Sequence, residues 1–478
     1  MLFDHRKSDK QRLVAGGNPV ANPTATATAA GLIARLEALP FSPWHRNLAM
    51  LAAAGVLLDA ADFAMFGAAL PSIRGEFGLN PAQGGLLATV GLVGAFLGAL
   101  FWGTISDYIG RRTAFAATIA IFASFTALVA AAWSVVSLGV FRFISNFGLG
   151  GEIPVALTIT AEFMPGPIRG RVTGTMMAAF PLGLALAAGL GLLILPTFGW
   201  RGLFVVGVVP ALILVFVRRF MPESVRYLIS RGRIQEATRT VEEIERKAGV
   251  LPARGLASAT LQPEIAIAPG VTVAQLLAPG RRRRTLLAWL VSFCFLWSSN
   301  GILFMLPTIL TQRGLPLSQA LTFQLIQGLS GFFGYAACGF LIDRYGRRPV
   351  LFLYFFVGAA FHLWFAEASG LGLYISIAFV GLVNPGVFGA MGIYVGELYP
   401  THLRATAVGW FFGIGRIGSF LAPAVVGAML HYGAGHYVLH TFAFTYLVAA
   451  IAVYAIGIET RGLALEQIAE AGAEVEIV

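Results

Sequence analysis

Long apolar stretches recur along the whole chain, and no other feature constrains its fold as strongly. They run roughly over 48–72, 84–104, 113–132, 134–156, 170–195 and 201–218, then over 285–310, 320–342, 349–368, 372–396, 405–430 and 437–458. Each is near the roughly 20 residues that an α-helix needs to cross about 30 Å of hydrocarbon. Backbone N–H and C=O groups in lipid must be bonded within the protein, so only helices and closed barrels cross. Continuous apolar runs fit helices, not the alternating strands of a barrel. Composition agrees, since 57% of the 478 residues are apolar and only 12% are charged, against about a quarter in a soluble domain. A soluble enzyme, a disordered chain and a disulfide scaffold are thereby excluded, the last because there are only two cysteines. The expectation is an all-α integral membrane protein with twelve transmembrane helices, whose 57 glycines allow close helix packing.

An even number of spans puts both termini on one side, and the basic residues choose it. With the termini inside, the inner segments hold Arg6, Lys7, Lys10, Arg12, Arg35, Arg46, Arg111, Arg112, Arg169, Arg171, Arg344, Arg347, Arg348, Arg404, Arg461 and the run Arg281–Arg284. The outer loops hold only Arg74, Arg201 and Arg313. The net charge of +10 is therefore a topology signal and not a nucleic-acid patch. The expected organisation is a cytoplasmic tail over 1–47 with no cleavable signal, a six-helix bundle over 48–218, and a cytoplasmic linker over 219–284. A second six-helix bundle over 285–458 and a cytoplasmic tail over 459–478 follow. The linker carries surface helices such as Ile234–Lys247.

The chain also repeats itself. Gly103-Thr-Ile-Ser-Asp107-Tyr-Ile-Gly110-Arg111-Arg112 recurs as Gly339-Phe-Leu-Ile-Asp343-Arg-Tyr-Gly346-Arg347-Arg348, 236 residues later. Glu162-Phe-Met-Pro165 with Arg169 and Gly174 recurs as Glu397-Leu-Tyr-Pro400 with Arg404 and Gly409, and Glu223 recurs as Glu459. Two six-helix pseudo-repeats meeting around a midplane site form a transporter architecture. On these motifs the sequence resembles the major facilitator superfamily over nearly its whole length. Met221-Pro-Glu-Ser-Val-Arg-Tyr-Leu and Ile458-Glu-Thr-Arg-Gly-Leu-Ala-Leu-Glu-Gln-Ile are similar to the ends of sugar-porter halves. Asp59-Ala-Ala-Asp62-Phe and Gly413-Ile-Gly-Arg416-Ile-Gly-Ser-Phe-Leu-Ala-Pro423 are similar to the first and eleventh spans of aromatic acid:proton symporters. Ala60-Ala61 stands where those proteins have a glycine and an aromatic residue.

The repeated inner-side motifs read as conformational latches rather than mere topology signals. They comprise Asp107, Arg111, Arg112, Glu162 and Arg169 in one half and Asp343, Arg347, Arg348, Glu397 and Arg404 in the other. Gly110 and Gly346 permit the tight turns. Asp107 and Asp343 can meet a helix N-terminus or an arginine, and Glu162 can pair with Arg169, Glu397 with Arg404, or either across the halves. These contacts would hold the inner ends together in the outward-open state. Gly148-Leu-Gly150-Gly151 resembles part of a dinucleotide loop, but it has no preceding strand and reads as helix packing.

Charges inside spans are costly and mark function. Away from the span ends they are Asp59, Asp62, Arg142 and Arg416. At about 1.5 Å per residue, all four reach one level near mid-depth. Asp59 and Asp62 share a helix face and are expected to carry the coupling proton. Protonation of an aspartate would release an arginine to bind a substrate carboxylate bidentately, with Arg142 ranked ahead of Arg416. A static ion pair that only joins helices is the alternative. Neutral candidates for the substrate site are Asn300, Trp297, Gln324, Gln327 and Asn384, with Phe63, Phe66 and Trp297 available to stack on a ring. His362 reads as structural or interfacial, and Cys294 and Cys338 as free intramembrane thiols.

The expected function is proton-coupled symport of a small organic anion, such as an aromatic carboxylate, by rocker-switch alternating access. A sugar, polyol or zwitterion porter of the same fold, a proton-driven efflux pump and a non-transporting sensor are the competing readings. No nucleophile triad, phosphate loop or metal-ligand spacing stands out, so no covalent chemistry, ATP use, metal or other cofactor is expected. The expected partners are a small-molecule substrate, protons and the lipid bilayer, with no nucleic acid. The expected form is a monomer in a bacterial inner membrane.

Overall fold

A computed structural model describes residues 31–208, 221–250, 273–456 and 458–461, without the side chains of Asp107, Ala161, Pro167, Thr401, His402 and Ala405. The expectations for residues 1–30, 209–220, 251–272, 457 and 462–478, and the latch role of Asp107, fall outside this set. All regular elements among the described residues are helices.

The first three spans are Pro43–Phe77, Pro81–Ile109 and Arg111–Ala130. The seventh to twelfth are Arg282–Gln312, Leu317–Tyr345, Arg347–Glu367, Leu371–Glu397, Thr401–His431 and Val438–Ile456. Ten described helices are long and apolar enough to cross a membrane. The two remaining expected spans are interrupted rather than missing. The fourth is divided at Gly150-Gly151 into Val135–Leu149 and Glu152–Phe163, so it runs further than the expected 134–156. The fifth, Gly166–Met177 continued from Ala179, joins the sixth across Gly199, whose φ of 63° breaks the helix. The sixth then enters residues outside the described set.

Local sequence explains several of these boundaries. Pro43 takes the first helical position after Ser42, whose Oγ lies 2.8 Å from His45 Nδ1. Asn80 and Gln83 cap the second span reciprocally, at 2.8 and 3.0 Å. Gly110 and Gly346 turn the chain between spans two and three and between eight and nine, at φ 93° and 102°. A side chain there would be strained. It would also meet a carboxylate, because an added Cβ lies 2.5 Å from Glu223 at Gly110 and 2.7 Å from Glu459 at Gly346.

Among the described residues, the buried apolar side chains form three cores. One spans both halves on the side away from the termini, joining Ala68 and Leu70 of the first span to Phe304 and Leu306 of the seventh and Leu321 of the eighth. On the termini side the core is divided. One part holds Val56, Phe115, Ile159 and Val241, and the other holds Phe295, Phe355, Tyr394 and Ile456. The halves are thus closed together far from the termini and have separate cores near them. The closed side depends on backbone approach through small residues, as expected where apolar lipid offers helices little hydrophobic drive. Gly85 of the second span abuts the Pro423 carbonyl of the eleventh, and the Thr89 hydroxyl donates to the Phe420 carbonyl at 2.7 Å.

The expected surface helix forms as Ile234–Ala248. It packs Ala237, Val241 and Ile244 against Leu32, Leu36 and Leu39 of the N-terminal segment. Arg35 donates to both oxygens of the buried Glu245 carboxylate, at 2.9 and 2.7 Å, and these bonds raise the arginine above its ordinary pKa.

Candidate functional site

The first and fourth spans bring the expected midplane charges together. Arg142 Nη1 donates to Asp62 Oδ2 at 2.6 Å, and Nη2 donates to the Asp62 carbonyl at 3.2 Å. Both side chains are 1% exposed. The guanidinium also lies 5.0 Å from the Phe66 ring and 5.9 Å from the Phe204 ring. Arg142 is therefore enclosed by its partner and two aromatic faces. Phe66 serves this packing and is 1% exposed.

Asp59 is 2% exposed, and its Oδ1 has no hydrogen-bond partner among the described residues. A third carboxylate joins the aspartates here. Glu152 begins the second piece of the fourth span and is 4% exposed. Its Oε1 lies against Gly55, one turn before Asp59, where an added Cβ would come within 2.7 Å. Asp59 lies within electrostatic range of Glu152, Asp62 and Arg142, and Glu152 lies within range of Asp62. Sequence reasoning missed Glu152 because a span ending at 156 leaves it near the membrane boundary. The extension to Phe163 carries it inward. The signal was available in the adjacent Gly150-Gly151, which reduces side-chain bulk on the helix just before an acidic residue.

Arg416 does not join this cluster. It is partly exposed on the eleventh span, with its guanidinium 5.9 Å from the ring of Phe96 on the second. Among the described residues it has no ion pair or hydrogen bond through its side chain. Phe420 lies 6.2 Å from Phe96 by ring centroid, and Phe63 lies 5.9 Å from Phe304 across the two halves. On the seventh span, Trp297 packs on Phe293 and its buried Nε1 has no partner among the described residues. Asn300 donates to the Leu296 carbonyl at 3.2 Å. On the eighth span Gln327 is 7% exposed, and both amide atoms of the buried Gln324 are unpartnered among the described residues. The Oδ1 of Asn384 accepts the Tyr446 hydroxyl inside the second half. His362 is structural, with Nδ1 donating to the Gly358 carbonyl at 2.7 Å, and Cys294 and Cys338 are buried and unbridged.

The inner-side motifs fold into two similar arrangements. Glu223 accepts the backbone N–H groups of Arg111 and Arg112 at 2.8 and 3.2 Å. Glu459 accepts those of Arg347 and Arg348 at 2.9 and 3.0 Å. Each carboxylate satisfies free N–H groups at a helix start and opposes the positive end of its dipole. Arg111 then reaches Glu162 at 3.5 Å, and Arg347 grips both oxygens of Glu397 at 3.1 Å. Asp343 lies 3.9 Å from Arg347. The expected Glu162–Arg169 and Glu397–Arg404 pairs do not form. Arg169 donates to the Met164 carbonyl and lies 3.8 Å from Glu37, while Nε and Nη2 of Arg404 are unpartnered among the described residues. The second and third spans deliver Arg111 to Glu162, and the eighth and ninth deliver Arg347 to Glu397, before the motif's own arginine can reach. These pairs lie within a half, so in this conformation they brace each bundle and do not join the two.

The sugar (and other) transporter family matches residues 47–471. The niacin transporter NiaP of Acinetobacter baylyi is 34% identical over 439 residues, covering 91% of this chain and 99% of that protein. The 4-hydroxybenzoate transporter PcaK of Pseudomonas aeruginosa is 30% identical over 400 residues, covering 83% and 88%. Among solved structures, a partially occluded inward-open conformation of the xylose transporter XylE from E. coli superposes with a TM-score of 0.72. It is 20% identical and covers 88% of this chain and 100% of that one, a likeness of fold. The ten described membrane-length helices and the repeated motifs thus agree with the family and the relatives, which are transporters and not enzymes. The chain belongs to the sugar (and other) transporter family and is a multi-pass membrane transporter of the major facilitator fold.

Proposed function

We propose that the chain couples protons to the movement of a small aromatic carboxylate across a bacterial inner membrane, working as a monomer with both termini cytoplasmic. The observation that carries this reading is the charge balance of the buried cluster. One guanidinium, Arg142, is already bonded to Asp62, and two further carboxylates, Asp59 and Glu152, share the same apolar surroundings. Uncompensated charge there is costly, and each proton bound at Asp59 or Glu152 removes one charge. The cluster is thus suited to take up and release protons as its access to water changes. Asp62 holds Arg142 in place, and Asp59 with Glu152 exchanges the coupling proton.

The substrate carboxylate pairs with Arg416 rather than Arg142. Arg142 is enclosed and satisfied by Asp62, whereas Arg416 is partly exposed and presents its donors beside Phe96. A guanidinium accepts a carboxylate through two parallel N–H···O bonds, and nearby aromatic faces receive a ring. Trp297 and Gln324 offer polar atoms that their own helices leave unbonded. The relatives named for niacin and 4-hydroxybenzoate transport favour an aromatic ring bearing a carboxylate. With cytoplasmic termini the conformation is inward-facing, and rocking of the two halves would open the core that they share on the far side. Competition in proteoliposomes tests this reading. Benzene- and pyridine-carboxylates should compete for proton-driven uptake and hexoses should not. Competition by hexoses alone would overturn it.

A further inference from the structure

We propose that Glu367, His436 and His440 form a site for one divalent transition-metal ion of the zinc type, on the face opposite the termini. Glu367 ends the ninth span, and the 3₁₀ turn Gly435–Tyr437 leads into the twelfth span at Val438. His436 and His440 are four residues apart and fall on one helical face. A donor atom from each of the three side chains lies within 4.8 Å of the others. Glu367 Oε1 is 3.1 Å from His440 Nε2 and 3.8 Å from His436 Nε2. Ligands bonded to Zn²⁺ at about 2.0–2.2 Å in tetrahedral geometry stand roughly 3.3–3.6 Å apart. The two observed separations bracket that spacing.

The tautomer of His440 follows from its other nitrogen. Nδ1 lies 3.0 Å from the His436 carbonyl oxygen, which can only accept, so Nδ1 carries a proton. In the neutral ring Nε2 then aims a lone pair at the Glu367 carboxylate, and two acceptors face each other. A cation between them resolves that conflict. Donation of the remote ring nitrogen to a carbonyl is also the arrangement that orients metal-bound histidine. Two imidazoles and one carboxylate make a three-ligand zinc set, with the fourth position left to water. The side chains of Glu367, His436 and His440 are 62%, 61% and 31% exposed, so an ion in solution can reach them. Binding would clip the end of the ninth span to the start of the twelfth.

The test uses full-length protein purified without a polyhistidine tag and titrated with Co²⁺, whose visible absorption reports tetrahedral nitrogen and oxygen ligands. Zn²⁺ is then used to displace it. One Co²⁺ per chain is expected, with affinity falling at least about tenfold in Glu367→Gln and in His440→Ala and further in His436→Ala/His440→Ala. Zn²⁺ should raise the melting temperature of the wild type and not that of the double variant. Equal affinity and stoichiometry in wild type and double variant would overturn the proposal. So would the absence of stoichiometric binding to the wild type. The metal-free melting temperatures establish that the variants fold.

Discussion

Arg142 Nη1 and Asp62 Oδ2 are 2.6 Å apart, and each side chain is only 1% exposed. A pair so enclosed contributes little net stability while intact, but removing one partner strands a charge. Arg142→Ala should destabilise the protein by about 3–5 kcal/mol, whereas Asp62→Asn/Arg142→Gln should cost much less than the sum of its single changes. Thermal unfolding in detergent checks this, and additive losses would show that the two residues act independently.

Arg416 gives the opposite expectation. It has no ion pair or side-chain hydrogen bond among the described residues, so Arg416→Ala should leave the melting temperature nearly unchanged. Loss of a charge-assisted contact worth about 1.5–3 kcal/mol should weaken carboxylate binding by roughly 10–150-fold. Equilibrium binding to the purified protein measures it, and unchanged affinity would remove Arg416 from the site.

Glu459 receives the backbone N–H groups of Arg347 and Arg348, and Glu397 receives the Arg347 side chain. Glu459→Ala should therefore cost about 1 kcal/mol, as losing a helix cap does. Gly346→Ala should cost more, because it adds a strained φ of 102° to the clash with Glu459. Melting temperatures of the two variants give the order.

Gly85 lies so close to the Pro423 carbonyl that no side chain fits. Gly85→Val should separate the second and eleventh spans on the side away from the termini. It should abolish transport with folding intact. Spin-label distances across that side should lengthen relative to wild type, and unchanged distances would show that the contact does not govern closure.

Much of this was legible in the sequence because the membrane imposes a strong rule. Charges are few, so Asp59, Asp62 and Arg142 could be placed at one depth by residue counting alone. The repeated Glu223 and Glu459 could be recognised, and the structure gives them the same work at two helix starts. The partners of Glu162 and Glu397 were not legible. Proximity along the chain favoured Arg169 and Arg404, whereas the approach of neighbouring helices supplied Arg111 and Arg347. Glu152 was hidden by a misplaced helix end. Asn384 could be set near mid-depth, but only packing shows that it turns toward Tyr446. The His436 and His440 spacing was present in the chain, yet Glu367 joins it only through the contact between two spans.

The central claim is that Asp59 and Glu152 exchange the coupling proton while Asp62 secures Arg142. Its most direct test is transport of a labelled aromatic carboxylate in proteoliposomes by Asp59→Asn/Glu152→Gln, comparing uptake driven by an imposed proton gradient with exchange at equal pH. The account predicts that gradient-driven accumulation is lost while exchange persists. Full gradient-driven accumulation by the double variant would contradict it.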